Sequence, residues 1–311
     1  MNAAPRDLPS GFKRPRLLIV GCGDIGLRVA RLLRGRWCLR ALTSNPARCV
    51  ELRAAGVLPL VGNLDVPATL GRLAGLADAV LHLAPPPGHD TTDARTANLI
   101  AALARRPRAL HPRCLVYTST SGVYGDCGGA RFDETRAVNP ATDRGRRRVD
   151  AEARLRAYGR RFGVRVTLLR VPGIYALDRA GGDPRERVAR GSPVLAEGDD
   201  VFTNHIHADD LARACVAALH HGLPQRVVHV CDDTELKMGA YFDFVADRFN
   251  LPRPPRLTRE QAVAVLPAMQ LSFIGESRRL DNTRLKCELG LRLRYPTVAQ
   301  GLVNVSPAVT S

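Results

Sequence analysis

Short runs of aliphatic and β-branched residues alternate with longer amphipathic segments from Arg16 onward, and this alternation constrains the fold more than any other feature. The runs that predict strands are residues 17–20, 38–43, 57–61, 79–83, 114–118, 164–169 and 226–230. The segments that predict helices are residues 25–33, 47–55, 97–104, 147–162 and 208–220. Successive strand–helix–strand units have right-handed crossovers, so the pattern predicts an α/β protein with a doubly wound parallel sheet.

A glycine-rich turn follows the first expected strand. Gly21, Gly23 and Gly26 have the spacing G-x-G-x-x-G, and Asp24 and Ile25 open the helix that follows. In this setting the glycines permit a tight turn, close approach of the backbone to a pyrophosphate, and close packing of helix on strand. The exposed N–H groups and the helix dipole favour a phosphate. We therefore expect these residues to bind a dinucleotide; the alternative is a purely structural glycine turn.

The end of the second expected strand bears on the choice of cofactor. An NAD-selective site usually has Asp or Glu about twenty residues beyond the glycines, where it binds the ribose 2′-hydroxyl. This chain has no acid there, and Ser44 and Arg48 offer a hydroxyl and a guanidinium to a 2′-phosphate. We expect NADP(H); the alternative is NAD(H), with Arg48 as a solvated residue of the second helix.

The alternation loosens past Arg170, where loops containing Pro and Gly become frequent. We expect residues 1–15 to be a disordered leader and residues 16–172 to form an NAD(P)-binding Rossmann domain. Residues 173–311 are expected to form a smaller C-terminal substrate lobe, with a strand near 226–230 returning to the sheet.

Composition narrows the classes of partner. No run approaches the roughly 18 uninterrupted apolar residues of a membrane span, and the eight Cys form no CxxC pair or zinc-spaced cluster. These features predict a cytoplasmic protein without a metal site. The net charge of +16 comes largely from Arg spread along the chain, which argues against a nucleic-acid site and is compatible with a small anionic substrate. A homodimeric assembly is left open.

Seven segments together resemble the NAD-dependent epimerase/dehydratase family, that is, the extended and atypical short-chain dehydrogenases/reductases. In the family's order they are VGCGDIG, GNLD at 62–65, VLHLAPPP at 80–87, VYTSTSGVYGD at 116–126, LRVPGIYA at 169–176, HIHADDLARA at 205–214 and SRRLDNTRLKCELGL at 277–291. The resemblance covers nearly the whole chain and implies the same fold, a Rossmann domain with a substrate lobe.

The resemblance also assigns cofactor contacts beyond the glycine turn. It implies that Asn63 and Leu64 lie beside the adenine, and that Leu83, Ala84 and Pro85 line the cofactor along the fourth strand. Asn63 departs from the Asp that is usual at its position.

Two residues of the TSTSGVYG segment are implied to lie at the reacting end of the site. Thr120 stands at the family's catalytic Ser/Thr position, and Tyr124 would flank the substrate pocket. The alternatives are a strand-end hydroxyl satisfied by backbone for Thr120 and a packed aromatic ring for Tyr124.

The family's catalytic pair, Tyr and Lys at the spacing Y-x-x-x-K, is absent from this sequence. No Tyr has Lys four residues later, and Arg144 and Arg148 stand at the two matching positions. A guanidinium stays protonated and only donates hydrogen bonds, so Arg144 cannot act as a general acid or base near neutral pH. Arg148 is expected to hold ribose hydroxyls or a substrate anion; the alternative for this Arg cluster is a solvated helix start.

Other candidates for proton transfer are few. His82 lies within an expected strand and fits a core residue better than a catalyst, whereas His205 and His207 lie in the segment that returns toward the cleft in the family. Asp209 and Asp210 are expected to cap the helix that they open.

Two functions follow from these observations. The first is an NAD(P)-dependent oxidoreductase or epimerase-like enzyme that acts on a small, phosphorylated or nucleotide-linked substrate through an unusual proton donor, with Thr120 and Tyr124 as the residues to test. The alternative is a catalytically inactive NADP(H)-binding regulatory or assembly protein, which the loss of both Tyr and Lys favours. An ion-channel gating module is disfavoured by the C-terminal segments.

Overall fold

The computed structural model describes residues 14–267, 271 and 274–303. Its strands are β1 Arg16–Val20, β2 Cys38–Thr43, β3 Leu58–Val61, β4 Ala79–His82, β5 Cys114–Thr120, β6 Arg131–Phe132, β7 Arg165–Val171, β8 Gly173–Tyr175, β9 Val194–Leu195, β10 Phe202–Thr203, β11 His205–His207, β12 Arg226–His229, β13 Leu236–Lys237, β14 Arg256–Leu257 and β15 Arg279–Leu280. Its helices are α1 Asp24–Leu33, α2 Cys49–Ala54, α3 Ala94–Leu103, α4 Asp143–Phe162, α5 Pro184–Ala189, α6 Ala208–His221, α7 Met238–Arg248, α8 Arg259–Val265, α9 Thr283–Cys287 and α10 Val298–Gly301. Nearly all of the expected leader lies outside the described residues.

The central sheet has seven strands in the order β12-β7-β5-β4-β1-β2-β3, and every neighbouring pair is parallel. The prediction of a doubly wound parallel α/β fold is therefore confirmed. The direction of winding reverses between β1 and β4, and ligands of such sheets bind outside the carboxyl ends of the strands at this point.

Alternating side chains of the strands build a core on each face of the sheet. Leu17 and Ile19 of β1 pack with residues of α1, α2 and α6 on one face. Leu18 and Val20 pack with residues of α3 and α4 on the other. This alternation is the period-two pattern of a strand that is buried on both sides.

Several elements begin at positions that differ from the sequence-based bounds. The helix expected at residues 147–162 begins at Asp143, because the Thr142 side chain accepts a hydrogen bond from the Gly145 N–H at 3.1 Å and caps it. The helix expected at 97–104 begins at Ala94, where Asp93 accepts a bond from the Thr96 N–H. Both corrections have the same cause, a capping side chain upstream of the apolar pattern.

A third core cluster lies in the C-terminal lobe, where it includes Val194, Leu195, Phe242 and Val245. Short strand pairs frame this lobe: β8 with β11, β9 with β14, and β10 with β13. The chain returns to the central sheet at β12, which pairs with β7. The domain boundary at residue 173 stays a prediction. None of the helices in the described ranges has the length and apolar character to cross a membrane.

Candidate cofactor and substrate site

The three glycines after β1 have different steric surroundings. Gly21 has φ +85°, and a Cβ on it would lie 2.5 Å from the backbone nitrogen of Ala84, after β4. A Cβ on Gly26 would lie 3.3 Å from Ile19 Cγ2, so its absence lets α1 pack closely on β1. By contrast, no atom within the described ranges would lie within 4 Å of a Cβ on Gly23. The loop is therefore packed against protein at its two ends and open at Gly23.

The first turn of α1 begins at this open position. Gly23 is its N-cap and supplies no side-chain hydrogen bond, so the first N–H groups of the helix remain available to a ligand. A pyrophosphate fits this arrangement, because it accepts such N–H bonds and is favoured by the helix dipole. Ile25 packs against the core, and the Asp24 carboxylate accepts bonds from Arg28 Nε at 3.0 Å and Arg179 Nε at 3.2 Å.

Arg48, in the 3-10 turn after β2, lies beside the same loop. Its Nη1 donates to the Cys22 carbonyl oxygen at 2.7 Å, and its Nε donates to Glu51 Oε2 at 2.9 Å. Ser44 is exposed at the end of β2. The segment thus presents a hydroxyl and a guanidinium next to the glycine loop, and its nearby carboxylate, Glu51, is already paired.

The residues expected along the cofactor follow β3 and β4 in the structure. Leu83 and Ala84 donate their N–H groups to the carbonyl oxygen of the last residue of β1, at 2.8 and 2.9 Å. Pro85 is exposed and Leu64 is buried. Asn63 Oδ1 accepts a bond from the N–H two residues later at 2.9 Å, which makes its side chain part of a local turn. The segment after β4 borders the switch point, and the segment after β3 lies at the same edge of the sheet, beyond β2.

Thr120 is the last residue of β5 and is half-buried. Its Oγ1 accepts a hydrogen bond from the Gly122 N–H at 3.2 Å. Because the hydroxyl acts as the acceptor in this bond, its proton is left for donation to another group. Both interpretations of this residue are therefore compatible with the structure.

Tyr124 lies in the protein interior, with 1% of its surface exposed. Its hydroxyl lies 2.6 Å from both Arg170 Nη1 and His229 Nε2, and burial raises its pKa to about 12. The hydroxyl is bonded on both sides and is buried, which favours the packed aromatic interpretation. The expected role of Tyr124 beside the substrate stays a prediction.

The partners of Tyr124 belong to a buried polar network that sequence reasoning missed. Arg170 forms a bidentate ion pair with Glu152, at 3.1 and 2.7 Å. His229 Nδ1 lies 2.9 Å from the carbonyl oxygen of Asp281, so this nitrogen carries the proton and Nε2 accepts from Tyr124. Burial lowers the pKa of His229 to about 4. Arg170 occurs in the segment 169–176 that matches the family's pattern, which is the signal that could have found it. Glu152 lies outside the seven matching segments, one helical turn beyond Arg148.

The start of α4 carries a group of guanidinium ions near the carboxyl end of β5. Arg148 Nη1 donates to the Tyr117 hydroxyl at 2.8 Å and to the Thr118 carbonyl oxygen at 2.9 Å. Arg147 is 8% exposed and donates to the backbone carbonyl of Asp90. The Nε atoms of both arginines are buried without a hydrogen-bond partner in the described part of the chain.

This group is positively charged as a whole. The ion pairs within α4 join Arg146 to Asp143 and Arg154 to Asp150, and the described residues provide no such pair for Arg147 or Arg148. Desolvation lowers the pKa of Arg144, and the charge of Arg148 lowers it further. Electrostatically, this turn suits an anion.

The three candidate histidines for proton transfer are buried. Burial lowers the pKa of His82 to about 3 and that of His205 to about 4. His207 also has a lowered pKa because it is buried, and its Nδ1 accepts the Asp209 N–H at 3.2 Å. The cap of α6 is therefore His207, and the expected capping by Asp209 and Asp210 is wrong. Within the described residues no cluster of His, Cys, Asp and Glu could hold a metal ion.

Comparisons with known proteins agree with this fold. A solved structure from Silicibacter pomeroyi DSS, of a functionally unknown conserved protein, is 31% identical with a TM-score of 0.75, over 92% of this chain and 96% of that one. UDP-glucose 4-epimerase of Thermotoga maritima, solved with UDP-glucose, is 19% identical with a TM-score of 0.73, over 92% and 96%. The DesIV double mutant of Streptomyces venezuelae, a dTDP-glucose 4,6-dehydratase with NAD and DAU bound, is 21% identical with a TM-score of 0.73, over 92% and 94%.

Two curated sequences match over shorter stretches. The dTDP-glucose 4,6-dehydratase of Mycolicibacterium smegmatis is 32% identical over 176 residues, which are 49% of this chain and 51% of that protein. An uncharacterized protein of Sinorhizobium fredii, y4nG, is 35% identical over 107 residues, 33% of this chain and 27% of its own length. The chain thus matches about half, or less, of these relatives. The sequence model of the NAD dependent epimerase/dehydratase family matches residues 18–231, and the chain belongs to this family.

Proposed function

We propose that this chain binds NAD(P)(H) and acts as an oxidoreductase or epimerase-like enzyme on a small, anionic, nucleotide-linked substrate. The observation that carries the proposal is the glycine loop, where the uncapped first turn of α1 meets the open side of Gly23. A bound nicotinamide would supply hydride transfer, while the chain's own groups bind and orient the cofactor. The residues that we assign to the cofactor are Gly21, Gly23, Asp24, Ile25, Gly26, Ser44, Arg48, Asn63, Leu64, Leu83, Ala84, Pro85 and Arg148.

Arg48 and Ser44 support NADP(H) over NAD(H). The Arg48 guanidinium lies against the glycine loop through Cys22, and the neighbouring carboxylate of Glu51 is paired with it. A 2′-phosphate would gain charge-assisted bonds from a guanidinium in this position. The solved relatives that hold NAD support the broader assignment to nicotinamide dinucleotides.

The start of α4 supports an anionic group on the substrate. Arg147 and Arg148 keep buried Nε donors without partners among the described residues, and a buried guanidinium without a counter-charge is unfavourable. An anion that approaches this turn would compensate both. Thr120, at the end of the neighbouring β5, is the hydroxyl that we propose to donate a hydrogen bond to the substrate oxygen. The relatives solved with nucleotide sugars support a nucleotide-linked substrate.

Calorimetric titration with NADPH and NADH tests the cofactor assignment directly. We expect NADPH to bind several-fold more tightly than NADH. Equal affinities contradict the 2′-phosphate assignment, and the absence of binding by either cofactor contradicts the whole proposal.

Turnover is then followed as NADPH oxidation with carbonyl metabolites and nucleotide sugars, for the native chain and for Thr120→Val. We expect Thr120→Val to lose turnover while its cofactor affinity is unchanged.

A second function has its own support in the structure. Tyr124 and the three candidate histidines are buried in the interior, and arginines stand at both positions of the family's catalytic pair. A protein that binds NADP(H) and uses its occupancy to change a partner surface needs no proton donor. Tight NADPH binding without turnover on any substrate of the panel would favour this function.

The remaining expectations stay predictions. They are the substrate role of residues 173–311, a cytoplasmic location and a homodimeric assembly. Sedimentation velocity of the purified chain measures the assembly.

A further inference from the structure

A cluster of charged side chains joins the first turn of α1 to the C-terminal lobe. Arg28 Nε donates to Asp24 Oδ1 at 3.0 Å, Arg28 Nη2 to Asp178 Oδ1 at 2.6 Å, and Arg28 Nη1 to Asp209 Oδ1 at 2.5 Å. The Arg28 side chain is 5% exposed. Asp178 follows β8 and Asp209 lies in the first turn of α6. The buried guanidinium of Arg28 therefore links α1, the loop after β8 and the start of α6.

A second guanidinium, that of Arg179, reaches the same carboxylate from the lobe. Its Nε donates to Asp24 Oδ2 at 3.2 Å, and its Nη1 lies 3.4 Å from the Ile174 carbonyl oxygen. A Cβ on Gly182 would lie 2.3 Å from Arg179 Nη1, so the side chain crosses its own loop where a glycine leaves room. The loop at 176–183 is therefore folded around this arginine, which remains 24% exposed.

Arg179 limits the excess negative charge of this cluster. The carboxylates of Asp24, Asp178 and Asp209 outnumber the guanidinium groups of Arg28 and Arg179. The adjoining histidine at the start of α6, whose Nδ1 lies 4.0 Å from the nearest of these carboxylates, has a pKa lowered by burial and adds no charge at neutral pH. Loss of the Arg179 charge would leave two uncompensated carboxylates beside the N-terminus of α1.

We propose that Arg179 is a cofactor-binding residue supplied by the lobe: its guanidinium, held by the carboxylate of Asp24, the residue that follows Gly23, binds the pyrophosphate, and the loop at 176–183 is thereby ordered next to the first turn of α1. This inference rests on the proposed binding of NAD(P)(H). The Arg28 nitrogens each have a carboxylate partner, whereas Arg179 Nη2 has no hydrogen bond to another described residue. Arg179 is thus the guanidinium of the cluster with a donor left for a phosphate.

Calorimetric titration of Arg179→Gln with NADPH tests this assignment, with Arg190→Gln as the matched control. Arg190 is an exposed arginine near the same loop, and its ion pair, 3.9 Å to Glu186, lies away from Asp24. We expect Kd to rise about tenfold or more for Arg179→Gln, which is typical for the loss of a charge-assisted hydrogen bond. Arg190→Gln should bind NADPH like the native chain.

Hydrogen exchange of the native chain gives a second readout that does not depend on a variant. NADPH should slow amide exchange in residues 176–183, and unchanged exchange there overturns the proposal. Unchanged NADPH affinity in a folded Arg179→Gln protein overturns it as well. If the native chain binds no cofactor, the proposed function fails together with this inference, whereas native binding with an unaffected Arg179→Gln variant removes only the role of Arg179.

Discussion

The glycine loop after β1 and the first turn of α4 lie at the same edge of the sheet, yet they keep different parts of the family's pattern. In the loop, each glycine still provides the space or the close approach that a dinucleotide needs. In α4, Arg144 and Arg148 stand at the positions that match the family's Tyr and Lys. The difference teaches that the two motifs can vary independently, since the glycine pattern is retained where the Tyr–Lys pair is absent.

The largest expected effect comes from a substitution in the glycine loop. Gly23→Val should abolish NADPH binding, because its side chain occupies the space through which the phosphates approach the backbone. The fold should survive, since a Cβ at this position meets no described atom within 4 Å. Titration calorimetry and thermal unfolding measure the two properties separately.

Gly198→Val is the matched control, because Gly198 is also exposed with open space around its Cβ position. It should bind NADPH as the native chain does. A folded Gly23→Val protein with native affinity would mean that the phosphates bind elsewhere.

The next-largest effect comes from substitutions at the start of α4. Arg144→Tyr combined with Arg148→Lys restores the family's pair, and general acid–base catalysis is worth about 10² to 10⁴ in rate. We expect NADPH-dependent turnover to rise by such a factor on a substrate that the native chain accepts. The single variant Arg144→Tyr, which lacks the Lys, is the control. If the double variant is folded, binds NADPH and shows no gain on any substrate, the defect extends beyond the missing pair.

The third effect concerns Asp232, a buried carboxyl group just beyond β12. Asp232 is 4% exposed, and burial raises its pKa from 3.8 to about 7. Between about pH 4 and pH 7 the folded protein therefore keeps a proton that the unfolded chain has lost. The contribution of Asp232 to the free energy of unfolding should fall as pH rises through this window and should be constant above it.

Asp232→Asn should remove this slope and stabilise the protein above pH 7 by about 2 to 4 kcal/mol, as an upper range. Asp233→Asn is the control, because Asp233 is exposed and paired with Lys286 at 2.6 Å. Urea titrations at pH 5 and pH 8 measure the difference. The gap in stability between Asp232→Asn and the native chain should be larger at pH 8 than at pH 5, and an equal gap at both values would contradict the raised pKa.

The smallest expected effect concerns the relative affinity of the chain for NADPH and NADH. Arg48→Glu should narrow the preference for NADPH over NADH by about 1 to 3 kcal/mol, the usual worth of a hydrogen bond to a charged group. Arg53→Glu, on the exposed side of α2, makes the same change in net charge and should leave the preference unaltered. An unchanged preference in Arg48→Glu would assign the 2′-phosphate to another residue.

The parts of the fold that depend on local pattern were predictable from sequence. The strand–turn–helix setting of Gly21 to Gly26 is contained in a few consecutive residues, and the expected sheet is observed. Helix starts were less predictable, because a cap such as Thr142 lies outside the apolar pattern that reveals the helix.

The side-chain contacts of Tyr124 and Arg148 could not be predicted from sequence in the same way. Tyr124 is buried because β12 brings His229 beside it, and the two residues are far apart in the chain. Arg148 reaches Tyr117 through the packing of α4 on β5, which no spacing along the sequence encodes. Sequence reasoning therefore identified which residues are candidates for the site but not which of their atoms are already engaged.

The return of the chain to the sheet at β12 has a consequence for synthesis. β7 pairs with β12 along its outer edge, and the whole segment that forms α5 and α6 lies between these strands in sequence. A nascent chain that ends before Arg226 therefore presents β7 as an unpaired edge, and such edges template intermolecular pairing. The outer edge of β7 is covered only after residues 226–229 have been synthesised, so the sheet gains its seventh strand after α5 and α6 have been made.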